Sequence, residues 1–180
     1  MIIGLIRHFK VDISFNKKFY SAEEFNRIME EYNRTPVISA EVNLNGVDWE
    51  VCYSSSLPRA VTTAESIFNG EIIKTDLLRE VELRTFTNKN YYMPASLWHF
   101  GGRVAWYKEK PSQPENYTQS LARADKFLDL IFSSDEQNVL CVSHGFFMGI
   151  LFRKLFKKGF TADVDFRPRN GKLYVFKGEK

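Results

Sequence analysis

Asn138-Val-Leu-Cys-Val-Ser143, running straight into His144-Gly145-Phe-Phe-Met-Gly-Ile-Leu-Phe-Arg-Lys-Leu-Phe156, is the stretch that decides the fold. Its first part is an apolar run too short for a helix, which predicts a strand buried on both faces. The part from Gly145 to Phe156 is mostly apolar and long enough for a helix. Lys157 and Lys158 stand near its C-terminal end, where cations suit the helix dipole, and Gly159 lies just past it. A buried strand feeding directly into a helix is the unit from which layered α/β folds are built.

Working outward, the same unit recurs. Met1-Ile-Ile-Gly-Leu-Ile6 is another short buried-strand run, ending at Arg7. Val51 to Ser54 predicts a strand, Ser-Ser-Leu-Pro58 a loop, and Ala60, Ala64, Ile67 and Phe68 a helix by their spacing. Ser21 with Glu24 forms a capping box, so a helix is predicted from there to about Tyr32. Glu71-Ile-Ile-Lys74 predicts a brief strand. Leu121, Ala124, Leu128 and Ile131 mark an amphipathic helix over Thr118 to Phe132, and Gly171-Lys-Leu-Tyr-Val-Phe176 predicts a last strand. The expected architecture is α/β, a three-layer sandwich with a largely parallel central sheet flanked by helices.

The chain has 180 residues, 44% hydrophobic and 26% charged, which excludes disorder and a stapled mini-protein and predicts one domain over residues 1–180. The apolar start is cut by Arg7, so neither a signal peptide nor a membrane span is drawn there, and a cytoplasmic protein is expected. Cys52 and Cys141 sit in apolar runs and read as buried structural thiols. His8, His99 and His144 show no metal-ligand spacing, so no metal is expected. The net charge is +3, with nine basic and three acidic residues from Leu151 onward. Arg153, Lys154, Lys157 and Lys158 fall near a helix C-terminus where cations are favourable, so this tail reads as a solvated face rather than a nucleic-acid surface. From Phe86 to Tyr107 the pattern dissolves, while seven of 22 residues are Phe, Tyr or Trp. Two readings stand for this segment: a lid or binding loop that offers stacking surface, or a loop folded over the core by its own aromatics.

The chemistry-bearing residues fall at element ends. Arg7-His8 closes the first strand and Ser143-His144-Gly145 joins a later strand to its helix, so both histidines are expected in the crevice at the carboxyl ends of the strands. Arg59 lies in the first turn of the helix after Pro58, where the helix dipole disfavours a cation. A bound anion would remove that conflict; turning to solvent or pairing with a carboxylate would also do so. Guanidinium forks suit phosphate oxygens, so Arg7 and Arg59 together suggest a phosphoryl pocket. Phosphoryl transfer without a metal needs a nucleophile, which a neutral imidazole supplies, and a carboxyl to protonate the leaving oxygen. Glu80 and Glu82, in Leu77-Leu-Arg-Glu-Val-Glu82, are the candidates.

These residues resemble the histidine phosphatase superfamily, the phosphoglycerate mutase-like proteins. Leu5-Ile-Arg-His8 looks like the family's LxRHG; Ser54-Ser-Ser-Leu-Pro-Arg-Ala-Val-Thr-Thr-Ala64 is similar to its SxLxRAxxTA. Leu78-Arg-Glu80 resembles its LxE, and Val142-Ser-His-Gly145 its second histidine motif. The resemblance implies that His8 is the nucleophile that becomes a phosphohistidine, that Arg7 and Arg59 hold the phosphoryl oxygens, and that His144 completes the pocket. It makes Glu80 the acid, in preference to Glu82, and adds Gly145 as a substrate contact. Pro114-Glu115-Asn116 stands where the family has GES. Two departures are expected to matter: Phe9 replaces the family's glycine, so its bulk would narrow the pocket or redirect the substrate, and the family's Asn and Ser/Thr phosphate contacts are out of register, leaving Ser14 or Asn16 as substitutes.

The expected activity is a phosphomonoesterase of the histidine acid phosphatase type. It would act on a small phosphorylated metabolite without a cofactor, as a monomer or homodimer. The alternatives are a mutase-type phosphotransferase, for which the chain is short, and a phosphate-binding module with little or no catalysis.

Overall fold

The computed structural model describes residues 1–14, 16–89 and 91–180. Strands β1 (Ile2–Arg7), β4 (Val51–Ser55), β5 (Ile72–Thr75), β6 (Asn138–Ser143) and β7 (Leu173–Lys177) form one sheet in the order β5-β4-β6-β1-β7. All neighbours run parallel except β7, which pairs antiparallel with β1. A second, two-stranded antiparallel sheet joins β2 (Lys10–Val11) to β3 (Val37–Ile38). The helices are α1 (Ala22–Arg34), α2 (Pro58–Ile67), α3 (Ala95–Tyr107), α4 (Tyr117–Phe132) and α5 (Gly145–Lys157).

Why the central strands read as continuous apolar runs is visible in their two faces. Ile3 and Leu5, Val51 and Tyr53, and Val139 and Cys141 point into one core with Phe127 and Leu128 of α4 and Phe147 and Leu151 of α5. Their alternate neighbours Ile6, Cys52, Leu140 and Val142 point into the other, against Ala60 and Ala64 of α2. Period-two alternation with both faces covered leaves no polar face on the sheet. The cysteines are buried on opposite faces. Among the described residues no helix is long and apolar enough to cross a membrane.

A third apolar cluster lies outside this sandwich. Tyr20 and Phe25 pack with Leu83 and Trp98, joining α1 to α3, and the Trp98 indole N–H donates to the Tyr20 carbonyl at 2.9 Å. The segment read as patternless is therefore half helical, because residues 95–107 form α3 with Trp98, Gly102, Ala105 and Trp106 buried. Gly102 is required there: a Cβ would lie 2.7 Å from the Arg84 carbonyl oxygen.

Candidate active site

Strands β1 and β6 pair so that Arg7 stands beside Ser143, and the His8 N–H donates to the Ser143 carbonyl at 3.0 Å. The residues after each strand, His8 and His144, are thereby neighbours, with ring centroids 5.0 Å apart. β4 on the far side of β6 delivers α2, and so Arg59, to the same edge. Together with the loop after β5 and with α1 and α3 they enclose a cavity of about 560 Å³ that Arg7, His8, Arg59, Glu80, Arg103 and Asn33 all line.

His8 is 2% exposed. Its Nδ1 lies 2.6 Å from the Phe9 carbonyl oxygen, which accepts only if Nδ1 carries the proton, so the lone pair sits on Nε2. Burial, then the Arg59 and Arg7 charges, hold its pKa down to about 3 against the opposing Phe9 hydrogen bond. At neutral pH it is an uncharged imidazole with its lone-pair nitrogen toward Arg59.

Arg59 neither turns to solvent nor pairs with a carboxylate among the described residues: it is 3% exposed, and its Nε donates to His8 Nε2 at 3.3 Å and His144 Nδ1 at 3.2 Å. Asn33 Oδ1 accepts from its Nη1 at 2.9 Å, and the Tyr32 ring lies 5.2 Å from its Cζ. Burial pulls its pKa down, opposed by Tyr32 and Glu80, yet guanidinium keeps its charge at any working pH. His144, fully buried behind it, accepts on Nδ1 and so donates from Nε2 to Ser55 Oγ at 2.7 Å. Its pKa is well below the ordinary value through burial first and then the Arg59, His8 and Arg7 charges.

Arg7 gives its Nη1 to the Pro168 carbonyl at 3.0 Å, while its buried Nε has no partner among the described residues. An orphaned buried donor is uncommon and calls for an acceptor. The guanidinium packs so closely on Gly145 that a Cβ there would lie 3.1 Å from Arg7 Cζ. Gly145 thus serves the site by making room for Arg7. It is not among the residues lining the cavity.

Glu80 accepts from the N–H groups of Val81 at 2.9 Å, Phe146 at 3.2 Å and Phe147 at 3.0 Å. The last two belong to the first turn of α5, whose N-cap His144 supplies no side-chain cap, so Glu80 caps that helix from another segment. Two residues fix the loop that carries it. Ser143 Oγ donates to the Leu78 carbonyl at 2.7 Å, and Arg123 Nη1 donates to the carbonyls of Leu77 at 3.0 Å and Arg79 at 2.7 Å. Arg123 is itself held by Glu115 through paired hydrogen bonds of 2.9 and 2.8 Å and lies over the Phe147 ring. Glu82 is exposed at the rim and pairs with Arg84 at 3.0 Å.

Several expectations are corrected. Ser14 and Asn16 do not reach His8; both are exposed and line a separate cavity of about 190 Å³, because β2 pairs with β3 and leads the chain away from the crevice. Asn33, coming from α1, stands at the arginine instead. Phe9 does not narrow the pocket: it is 1% exposed, its φ is not positive, and its ring packs over Gly171, while its N–H donates to Thr63 Oγ1 at 2.9 Å. No Phe, Tyr or Trp of the aromatic segment lines the cavity; His99 and Arg103 of α3 do. The C-terminal turn straps the backbone at His8, since the Asn170 amide donates to the His8 carbonyl at 2.7 Å and the Gly171 N–H to that of Arg7 at 2.8 Å.

No curated protein matches the chain in sequence. Among solved structures, the alpha-ribazole phosphatase from Shigella flexneri is 18% identical with a TM-score of 0.59, over 97% of this chain and 89% of that one. The phosphoserine phosphatase from Entamoeba histolytica, solved with 3-phosphoglyceric acid, is 18% identical with a TM-score of 0.53, over the same shares of 97% and 89%. The mycobacterial glucosyl-3-phosphoglycerate phosphatase is 17% identical with a TM-score of 0.52, over 87% and 79%. These likenesses show a shared fold. A model of the histidine phosphatase superfamily (branch 1) matches residues 5–180.

Proposed function

The chain belongs to the histidine phosphatase superfamily, branch 1, and from that premise we propose that it hydrolyses a small phosphorylated metabolite through a phosphohistidine on His8. The observation that carries this reading is the pair of cations at the nucleophile, Arg59 buried without a carboxylate partner and Arg7 with an unpartnered buried Nε. A phosphoryl dianion supplies both deficits at once. The solved phosphatases that share the fold, at identities of 17–18%, add support for a phosphomonoester as substrate.

In the proposed reaction, Arg7 and Arg59 bind the non-bridging oxygens, and the Arg59 Nε–H moves its hydrogen bond from His8 Nε2 to an oxygen, freeing the lone pair. Nε2 then attacks phosphorus. The phosphorus–oxygen bond to the alcohol breaks, and the Glu80 carboxyl gives its proton to the departing oxygen. The carboxylate left behind is held by the N–H groups of Val81, Phe146 and Phe147. As the imidazole becomes positively charged, its Nδ1–H bond to the Phe9 carbonyl strengthens. Glu80 then takes a proton from water as that water attacks phosphorus, the phosphorus–nitrogen bond breaks, and phosphate departs.

Turnover of p-nitrophenyl phosphate in EDTA, with quench analysis for a phosphohistidine, tests the proposal. The expected result is turnover with a burst that His8→Ala abolishes. No turnover between about pH 4 and 9, with phosphate still bound, would indicate a binding module. Full activity in His8→Ala would remove the mechanism.

A further inference from the structure

The cavity holds more cations than a phosphoryl group needs. Of its arginines, Arg79 pairs with Asp76 at 3.8 Å, Arg84 with Glu82 at 3.0 Å and Arg123 with Glu115 at 2.8 Å. Among the described residues Arg7, Arg59 and Arg103 line the cavity without an ion pair. The first two match a phosphoryl dianion. Arg103 is left over, a third guanidinium with the fork to take an anion of its own.

Its position says which part of a substrate that anion belongs to. Glu80 accepts from the N–H groups of Val81 and Phe146, and Arg103 packs on those same two residues, so the candidate acid stands beside Arg103 in the cavity. Glu80 marks the departing oxygen, so Arg103 lies on the side to which the alcohol extends. Arg103 is also oriented before any ligand arrives. Its Nη1 donates to the Val81 carbonyl at 3.1 Å and its Cζ lies 3.7 Å from the centre of the Phe146 ring. Such a fixed fork loses little freedom on binding. Burial pulls its pKa down while Glu80 and Glu115 oppose this. One helical turn earlier on α3, His99 lines the same cavity, with its pKa lowered by burial and by the Arg103 charge, so that corner is not overloaded with positive charge.

We propose that the alcohol portion of the substrate carries a second anionic group, a carboxylate or a further phosphate, and that Arg103 binds it. This rests on the phosphomonoesterase reading above and adds the substrate class. A neutral sugar or alkyl phosphate leaves the third cation unmatched and is a poorer substrate for that reason.

Phenyl phosphate, 3- and 4-carboxyphenyl phosphate and 1,4-phenylene bisphosphate, compared by kcat/KM, test it. At least one anion-bearing ester is expected to exceed phenyl phosphate by about 10- to 100-fold, the range for a hydrogen-bonded charge. In Arg103→Met that ratio collapses toward one, whatever loss is common to all esters, and Arg103→Lys restores part of it through KM. Equal rates on every ester in the wild type, or a ratio that survives Arg103→Met, overturn the assignment while leaving the phosphomonoesterase intact. Hydrolysis of no ester at all overturns the underlying reading and this one with it.

Discussion

Asn33 Oδ1 accepts a hydrogen bond of 2.9 Å from Arg59 Nη1, tying the first helix to the start of the second across the cavity. It fixes one arm of the guanidinium while the other side faces the two imidazoles. Asn33→Ala is expected to lower kcat/KM by about 10- to 100-fold, the value of one hydrogen bond to a charged group. Asn33→Asp is expected to weaken inhibition by inorganic phosphate, because a carboxylate at that position competes for the cation. Steady-state kinetics with phosphate as inhibitor reads both, and an unchanged inhibition constant in Asn33→Asp would contradict the role.

Phe9 separates stability from substrate binding. Its ring is buried against Gly171 and does not line the cavity. Phe9→Ala should cost about 3–5 kcal/mol in urea unfolding, as other buried aromatic truncations do. The KM of the folded variant should move by less than about 2-fold, since no substrate contact is lost. A large change in KM with intact stability would mean that the ring reaches the cavity.

Arg123 and Glu115 act on Glu80 through the backbone carbonyls of Leu77 and Arg79. Arg123→Met is expected to reduce kcat by about 10- to 100-fold, as displaced catalytic groups do. KM should change little. The loss should be greater for an alkyl phosphate, whose alcohol must be protonated to leave, than for p-nitrophenyl phosphate. Equal losses on both esters would show that the clamp does not work through the acid.

The two buried histidines make stability depend on acid. Unfolded, His8 takes up a proton near its ordinary 6.5; folded, it resists protonation to about 3. The unfolded chain therefore binds more protons between those values, and stability falls as pH drops through that window. His144, lowered well below its ordinary value, acts in the same direction. The urea midpoint is expected to decline from pH 7 to pH 4, and the decline should be shallower in His8→Gln. Parallel profiles for the two proteins would remove His8 as a source.

Much of this site is legible in the chain because of where the residues stand. Arg7, His8 and His144 sit at the ends of apolar runs, and Arg59 follows a proline that opens a helix, so each position is defined by its own neighbours. Asn33 and Arg123 carry no such mark. Their contacts span 26 and 44 to 46 residues, and nothing local signals a partner so distant. α3 was obscured in a different way. Its buried positions Trp98, Gly102, Ala105 and Trp106 follow helical spacing, yet Gly101-Gly102 reads as a break unless the close approach of the Arg84 carbonyl is known. Ser14 and Asn16 follow His8 closely in sequence but not in space, because a two-residue strand suffices to redirect the chain.

One carboxyl group, gripped by three backbone N–H groups, has a consequence for handedness. In the proposed reaction the same Glu80 serves the departing alcohol and then the arriving water, so both oxygens occupy one position relative to phosphorus. His8, whose ring is held by the Phe9 carbonyl, stays on the opposite side in both steps. Each displacement inverts the phosphorus centre, and two inversions cancel. A phosphoryl group made chiral with oxygen isotopes and passed to an acceptor alcohol should emerge with its original configuration.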